Sequence, residues 1–251
     1  MITRMQYSIS LTTRDPLRVG GKEDPLTAAD NPVTVVGDRV CIPGPSLKGA
    51  LRAAVERYLN EKFFGHRDWE LLCPCIPSTR LSKDEQQLVK QKRFRGLGCH
   101  YPCGQRDCRE PHGICPVCYL LGAQGLVGFV RVPFLFTDVS YSELYSARID
   151  RSRQTVASQT NRSYQQVPPE AKFTGLLEVV TTDSLLDWRL GKPRALKERT
   201  KGDEWLANGD WSEDRILTEL IVDRLKKLAL IGGYKSKGFG RVSIEMAKVE
   251  S

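Results

Sequence analysis

Cys41-Ile42-Pro43-Gly44-Pro45-Ser46-Leu47-Lys48-Gly49-Ala50-Leu51-Arg52 is the stretch from which the rest of the chain is read. Pro43 and Pro45 pre-set backbone angles suited to a helix start, and Leu47, Ala50, Leu51, Ala54, Val55, Tyr58 and Leu59 then recur at helical spacing. They predict a helix with one buried stripe. Lys48 and Arg52, four residues apart, project from one side of its first turns, where orphan N–H groups and the helix dipole also favour an anion. A solvated basic face is the plain reading; a contact with a phosphodiester is the sharper one. Shortly upstream lies Ala29-Asp30-Asn31-Pro32-Val33. Asp-Asn-Pro is a common turn, and an unperturbed carboxylate near pKa ~3.9 is a weak base at neutral pH. Taken alone, Asp30 is a turn residue.

On either side of that helix the pattern is one of strands. Gln6 to Thr12 alternates, with Tyr7, Ile9 and Leu11 on one face, and a polar, exposed loop then runs to Asp30. Pro32 to Ile42 predicts a hairpin turning at Gly37-Asp38. Leu126 to Phe136 and Lys172 to Val180 are apolar, β-rich runs, and Arg241 to Met246 alternates again. A second helix is capped by Asp210 with Glu213, buries Ile216, Leu217, Leu220, Ile221, Leu225 and Leu228, and stops at Gly232-Gly233. The resulting order is β, ββ, α, insertion, β, long loop, β, α, glycine-rich loop, β. It predicts an α+β chain with a ferredoxin-like core, an architecture that RNA-binding modules often use, rather than a doubly wound parallel sheet. The insertion, 61–118, loses periodicity and is expected to stand outside the main core and to be ordered by metal. The long loop, 140–170, is polar, basic and aromatic, carrying Arg148, Arg151, Arg153, Arg162, Tyr145 and Tyr164; a stretch of that length without core periodicity is functional or disordered.

Lys and Arg exceed Asp and Glu by 38 to 30, a formal charge of +8 over 251 residues, which favours a polyanionic partner. No apolar run approaches the ~20 residues that span a bilayer, and the first residues carry no apolar signal segment. The expectation is a soluble, cytoplasmic protein with no membrane partner. Seven of the eight cysteines fall between Cys73 and Cys118, which without a secretion signal points to metal rather than disulfides.

The Cys115-Pro116-Val117-Cys118 turn chelates naturally, and Cys103 with Cys108 completes a tetrahedral set. Cys99, His100, His112 and the Cys73-Pro74-Cys75 pair compete for the same places. A closed set of four protein ligands predicts a structural zinc ion, not a catalytic one. Cys41 is expected to be a small buried hydrophobe. Near the C-terminus, Gly232-Gly233-Tyr234-Lys235-Ser236-Lys237-Gly238-Phe239-Gly240-Arg241 runs from helix to strand and lacks the Gly-Lys-Ser/Thr ending, so it is not a P-loop. Lys235, Lys237 and Arg241 with Tyr234 and Phe239 offer charge and stacking surfaces to a nucleic-acid backbone. A helix end followed by a flexible turn is the plainer reading.

Three segments together resemble one family. Arg14 to Gly21 is similar to the T-x-L-x-V-G-G close of a first strand, Ile42 to Arg52 to the IPGSSLKGxxR signature, and Gly232 to Val242 to the C-terminal GGxxSxGFGRV loop of the RAMP superfamily of CRISPR proteins. Ile149-Asp150-Arg151, Val167 to Phe173 and Cys115 to Gly122 further resemble segments of the type III backbone subunit. The resemblance implies an RRM-like core with lid and thumb insertions, the thumb lying at about Tyr141 to Pro169. It implies guide RNA, complementary target RNA, further copies of the chain and other CRISPR effector subunits as partners. It also implies an endoribonuclease that uses Asp30 and Mg2+ or another divalent ion to help a target 2′-OH attack the adjacent phosphate. In that picture Lys48, Arg52, Arg151 and the glycine-rich loop hold RNA. The departures are Asn31 for the usual Ser and Pro45 for the first Ser of the signature; neither removes the acid. A non-cleaving guide-binding scaffold is the alternative. A free-standing guide-processing nuclease is a third, one expected to use a histidine or tyrosine and to lack the cysteine-rich insertion.

Overall fold

The structure is a computed structural model that describes residues 1–20, 30–76, 80–96, 98–99, 113–147, 149–150, 152–156, 162–194 and 203–250. Alternation makes β1, Ile2–Thr13, whose Tyr7, Ile9 and Leu11 face inward as expected. The hairpin of β2, Val35–Val36, and β3, Arg39–Ile42, turns at Gly37-Asp38, and α1, Gly44–Phe63, follows with Pro43 as its N-cap. Leu47, Leu51, Val55 and Leu59 form its buried stripe, each stabilising the fold by about 1.5–3 kcal/mol through burial. Gly44 is required where α1 begins, because a Cβ there would meet the Val132 carbonyl at 2.7 Å.

Among the described residues three short helices come next: α2, Trp69–Leu72, α3, Lys83–Lys90, and α4, Pro116–Leu121. The apolar run 126–136 is not one strand but two, β4, Val130–Arg131, and β5, Leu135–Thr137. Pro133, which has no N–H to give a ladder, falls in the break. The expected long loop is instead two antiparallel ribbons. β6, Ser142–Ser146, pairs with β9, Arg162–Gln166, and β7, Ile149–Asp150, pairs with β8, Thr155–Val156. β10, Lys172–Asp183, then crosses the molecule and turns back into β11, Trp188–Arg189. The second long helix runs without a break from α5, Glu213–Arg215, through a π-helical stretch, Ile216–Val222, into α6, Asp223–Lys226. Its cap is Ser212, whose Oγ accepts the Arg215 N–H at 3.2 Å; Asp210, the cap expected from sequence, contributes its carbonyl to the Arg215 guanidinium instead. β12, Val242–Lys248, closes the chain.

The main sheet has the order β12-β1-β10-β5-β3-β2, with β4 and β11 also on β10, and its pairings are antiparallel. β1 and β10 pair from Ile2↔Asp183 to Thr12↔Lys172, with one bulge at Thr3/Arg4. α1 packs against α2, α4 and the second long helix, and α6 packs on β12. Tyr58 donates to the Glu219 carboxylate, which Lys62 also reaches at 3.1 Å, tying the two long helices together. The insertion does not stand outside the core. Trp69 and Leu72 of α2, with Cys75, Ile114 and Val117, are buried in the same cluster as Ile9, Leu51 and Leu177.

One buried polar arrangement stands out. The Arg194 guanidinium and the Asp203 carboxylate, both 0% exposed, meet through two hydrogen bonds of 2.8 and 2.9 Å, and Tyr119, Trp188 and Phe129 surround the cation at 4.6–5.5 Å. Desolvating both charges is offset only because the fork-on-carboxylate geometry is fully satisfied.

Candidate RNA-facing site and cysteine centre

Asp30 lies where the first loop meets the ribbon strand β9. Its carboxylate Oδ2 accepts the Ser163 N–H at 2.8 Å and its own N–H is accepted by Ser163 Oγ at 3.1 Å. One residue on, the Asn31 carbonyl accepts the Gln165 N–H at 3.1 Å, and Gln165 Oε1 accepts the Val33 N–H at 3.1 Å. Segment 30–33 is therefore laid along β9 as a short parallel addition, with Asn31 opposite Tyr164. The carboxylate itself is exposed.

The glycine-rich loop arrives at the same place. Gly233 donates to the Arg18 carbonyl at 2.9 Å and Gly240 to the Pro16 carbonyl at 3.0 Å. Gly232, at φ +84°, leaves no room for a side chain, since a Cβ would sit 2.4 Å from the Arg18 oxygen. Tyr234, Tyr164 and Phe239 meet edge to face at 5.7–6.0 Å. The Arg18 guanidinium stacks on the Tyr234 ring at 4.8 Å and donates to Asn31 Oδ1 at 3.0 Å, while Lys237 lies 4.6 Å from the same ring. Asp30, Tyr234, Lys235, Lys237 and Phe239, far apart in sequence, thus share one neighbourhood. Phe239 is buried beneath it; Lys235 and Lys237 are exposed. Arg241 is held by Asp15 through two 2.8 Å hydrogen bonds, which lower the Asp15 pKa.

Lys48 and Arg52 come together around Gly122 and take no part in the hydrogen bonds at Asp30. Lys48 lines a cavity of about 330 Å3 with Arg131, Gly122 and Gly128. Arg52, its side chain only 19% exposed, donates to the Gly122 carbonyl at 3.1 Å and to Cys118 Sγ at 3.8 Å and pairs with Glu56 at 3.8 Å. Burial pushes the Glu56 carboxyl up to about 7 against the pull of Arg52. Arg151 lies outside the described residues.

Arg52 points at a cysteine centre. Cys75, Cys99, Cys115 and Cys118 are all buried, with their sulfurs within 4.8 Å of one another. Cys115 is the N-cap of α4 and Cys118 lies on its first turn. Cys75 is delivered by an extended segment bridged to Arg95, and the Arg95 guanidinium fastens that segment through the Glu70, Leu71 and Gly113 carbonyls at 2.7–2.9 Å. The expected Cys115 and Cys118 are therefore joined by Cys75 and Cys99, which sequence offered as competitors; Cys103, Cys108, His100 and His112 lie outside the described residues. The Cys75–Cys118 sulfur separation of 3.4 Å and the Cys75–Cys115 separation of 4.0 Å exceed a disulfide. They bracket the roughly 3.8 Å edge of a tetrahedron with ~2.3 Å metal–sulfur bonds. Without a metal the four thiols pull against one another: hydrogen bonds from its neighbours hold Cys115 well below its ordinary range, while the same contacts and burial push Cys99 and Cys118 up. Backbone N–H groups of Cys99 and Cys115 donate to the Cys75 and Cys99 sulfurs at 3.3 and 3.4 Å. The four residues could hold a metal ion such as zinc.

Sequence reasoning passed over Arg18, Ser163 and Gln165. Only the polar character of 162–166 marked the last two, and Arg18 lay unassigned inside a recognised segment.

An antiparallel α/β sheet with a glycine-basic loop folded onto a cation–aromatic platform is compatible with handling nucleic acid. The sequence model of the RAMP superfamily matches residues 10–243, nearly the whole chain, and the chain belongs to that superfamily. Membership carries a CRISPR-associated, RNA-binding role, and the superfamily includes RNA-cleaving members. Among curated proteins nothing matches the chain. Among the described residues no helix is long and apolar enough to cross a membrane.

Proposed function

We propose that this chain is the backbone subunit of a type III CRISPR ribonucleoprotein, in which it binds guide RNA and cuts complementary target RNA at Asp30. The observation that carries the reading is the convergence of an exposed carboxylate, held by Ser163, with the glycine-rich loop and its Arg18–Tyr234–Lys237 platform. The connectivity β1, α1, β5, β10, second helix, β12 with sheet order β12-β1-β10-β5 supports a ferredoxin-like core. The ribbons of 140–170 are its thumb.

In the proposed reaction the target 2′-OH attacks the adjacent phosphorus in line. The 2′-O–P bond forms, the P–O5′ bond breaks, the 2′ proton is lost and the 5′ oxygen gains one, leaving a cyclic phosphate and a 5′ hydroxyl. Asp30 Oδ1 has no partner among the described residues and is the oxygen available to a divalent ion such as Mg2+, which would supply Lewis-acid stabilisation. Arg18, Lys235 and Lys237 hold the RNA backbone beside it, and Tyr234 offers a stacking surface. Zinc in the four-cysteine centre is structural, since four thiolates close its coordination. Arg52 sits beside that centre as the cation that balances its negative charge.

The second reading, a non-cleaving scaffold, draws on Asn31, whose amide oxygen is bound to Arg18 where the family pattern has Ser. Assembly with guide RNA, Mg2+ and labelled complementary target separates the two. Cutting by the wild type and none by Asp30→Ala is expected; an intact target with the wild type leaves the scaffold.

A further inference from the structure

Two residues of β9, Ser163 and Gln165, hold the segment that carries Asp30. We infer that Ser163 and Gln165 of the thumb strand β9 are positioning residues for Asp30, so that the carboxylate is in register for cleavage only while segment 30–33 stays paired to the thumb. The inference rests on the reading of Asp30 as the cleaving residue.

The geometry is reciprocal. Ser163 takes the Asp30 N–H on its Oγ at 3.1 Å and returns its own N–H to Asp30 Oδ2 at 2.8 Å. That pair fixes both the backbone and one oxygen of the same exposed residue. Gln165 repeats the arrangement two residues on, its N–H to the Asn31 carbonyl and its Oε1 from the Val33 N–H, each at 3.1 Å. Gln165 is itself 4% exposed and Ser163 8%, so the thumb side of these bonds is buried, and the Gln165–Val33 bond is buried throughout. The contacts join positions more than 130 apart in sequence, and segment 30–33 belongs to no strand of the main sheet. The thumb is thus the surface against which the carboxylate is oriented. Across the ribbon, Ser163 pairs with Tyr145, a residue 74% exposed, so a duplex pressing on the thumb acts one strand away from Asp30.

The test uses the assembled ribonucleoprotein and two readouts, target-RNA affinity and the single-turnover cleavage rate in Mg2+. Ser163→Ala/Gln165→Ala is expected to bind target as the wild type does but to cut on the order of 10²-fold more slowly, the penalty for a reacting group displaced by about 1 Å. Ser163→Thr, which keeps the hydroxyl and suits a strand, is expected to cut close to the wild-type rate. If Asp30→Ala is inactive while the double variant cuts at the wild-type rate, the positioning role is wrong and the reading of Asp30 stands. If the double variant loses affinity and rate together, the residues are merely structural and the inference also fails. A wild type that never cuts overturns both.

Discussion

The cysteine centre and the Asp30 site are built by opposite means. At the first, four sulfurs converge inside the core, every ligand direction points inward, and even the neighbouring cation, Arg52, is turned toward it. At the second, a single carboxylate is exposed and is held from behind by another segment's backbone and side chains. A closed set of ligands stabilises a fold and leaves no room for substrate; an open, pre-oriented group is of little use to stability and free to meet one. The difference predicts that damage at the centre is read in melting temperature and damage at the site in chemistry.

The contrast breaks first at the metal. Apparent binding energies of structural zinc are on the order of 10 kcal/mol, so chelation, or Cys118→Ser, is expected to lower the melting temperature by roughly 10 °C even if a third of that energy is lost. Metal analysis that finds no zinc in the folded protein would remove the centre from the comparison. Next in size is the buried pair. Asp203→Ala leaves Arg194 charged and unpartnered at 0% exposure, which should destabilise by about 3–5 kcal/mol in chemical unfolding. Gly232→Ala then probes the loop behind the open site: a Cβ 2.4 Å from the Arg18 carbonyl at φ +84° is expected to cost about 1–3 kcal/mol and to weaken RNA binding by shifting Arg18 off Tyr234. Asp30→Ala should change stability by about 1 kcal/mol or less while abolishing cleavage; a large fall in melting temperature would mean that the carboxylate is structural after all. The smallest effect is expected at Asp15, whose pKa the Arg241 hydrogen bonds lower from 3.8. A carboxylate depressed in the folded state stabilises above its unfolded pKa and loses that contribution as pH falls through the lower folded value. Asp15→Asn should therefore flatten the stability profile below about pH 4 and leave neutral pH almost unchanged.

The elements were legible wherever a period or a turn residue governs them. The stripe from Leu47 to Leu59 forecast the buried face of α1, and Gly37-Asp38 forecast the hairpin, because both are decided within a few residues of chain. The ligand set at the centre was half legible. Cys115 and Cys118 form a local chelating turn, but Cys75 reaches Cys118 across 43 positions, and spacing alone cannot rank it against its rivals. The i,i+4 pair Lys48 and Arg52 fared similarly: helical geometry said that they share a side, not that α4 would be packed there to capture Arg52. The insertion's place in the core was not legible because a loss of periodicity also describes pieces as short as α2, whose Trp69 and Leu72 are buried without completing a helical repeat. Ser163 and Gln165 carried no local signal, since their meaning comes from a strand addition joining distant segments.

The caged Arg194–Asp203 pair has one more effect, on how the molecule answers to ionic strength. Salt screens charges that sit in water, with a Debye length of about 8 Å at 0.15 M, and it competes directly with lysines for phosphates. Lys235 and Lys237 are of that kind; the pair sealed among Tyr119, Trp188 and Phe129 is not. Concentrated salt should therefore strip RNA from a chain that keeps this pair intact, giving a bare protein that takes RNA up again on dilution.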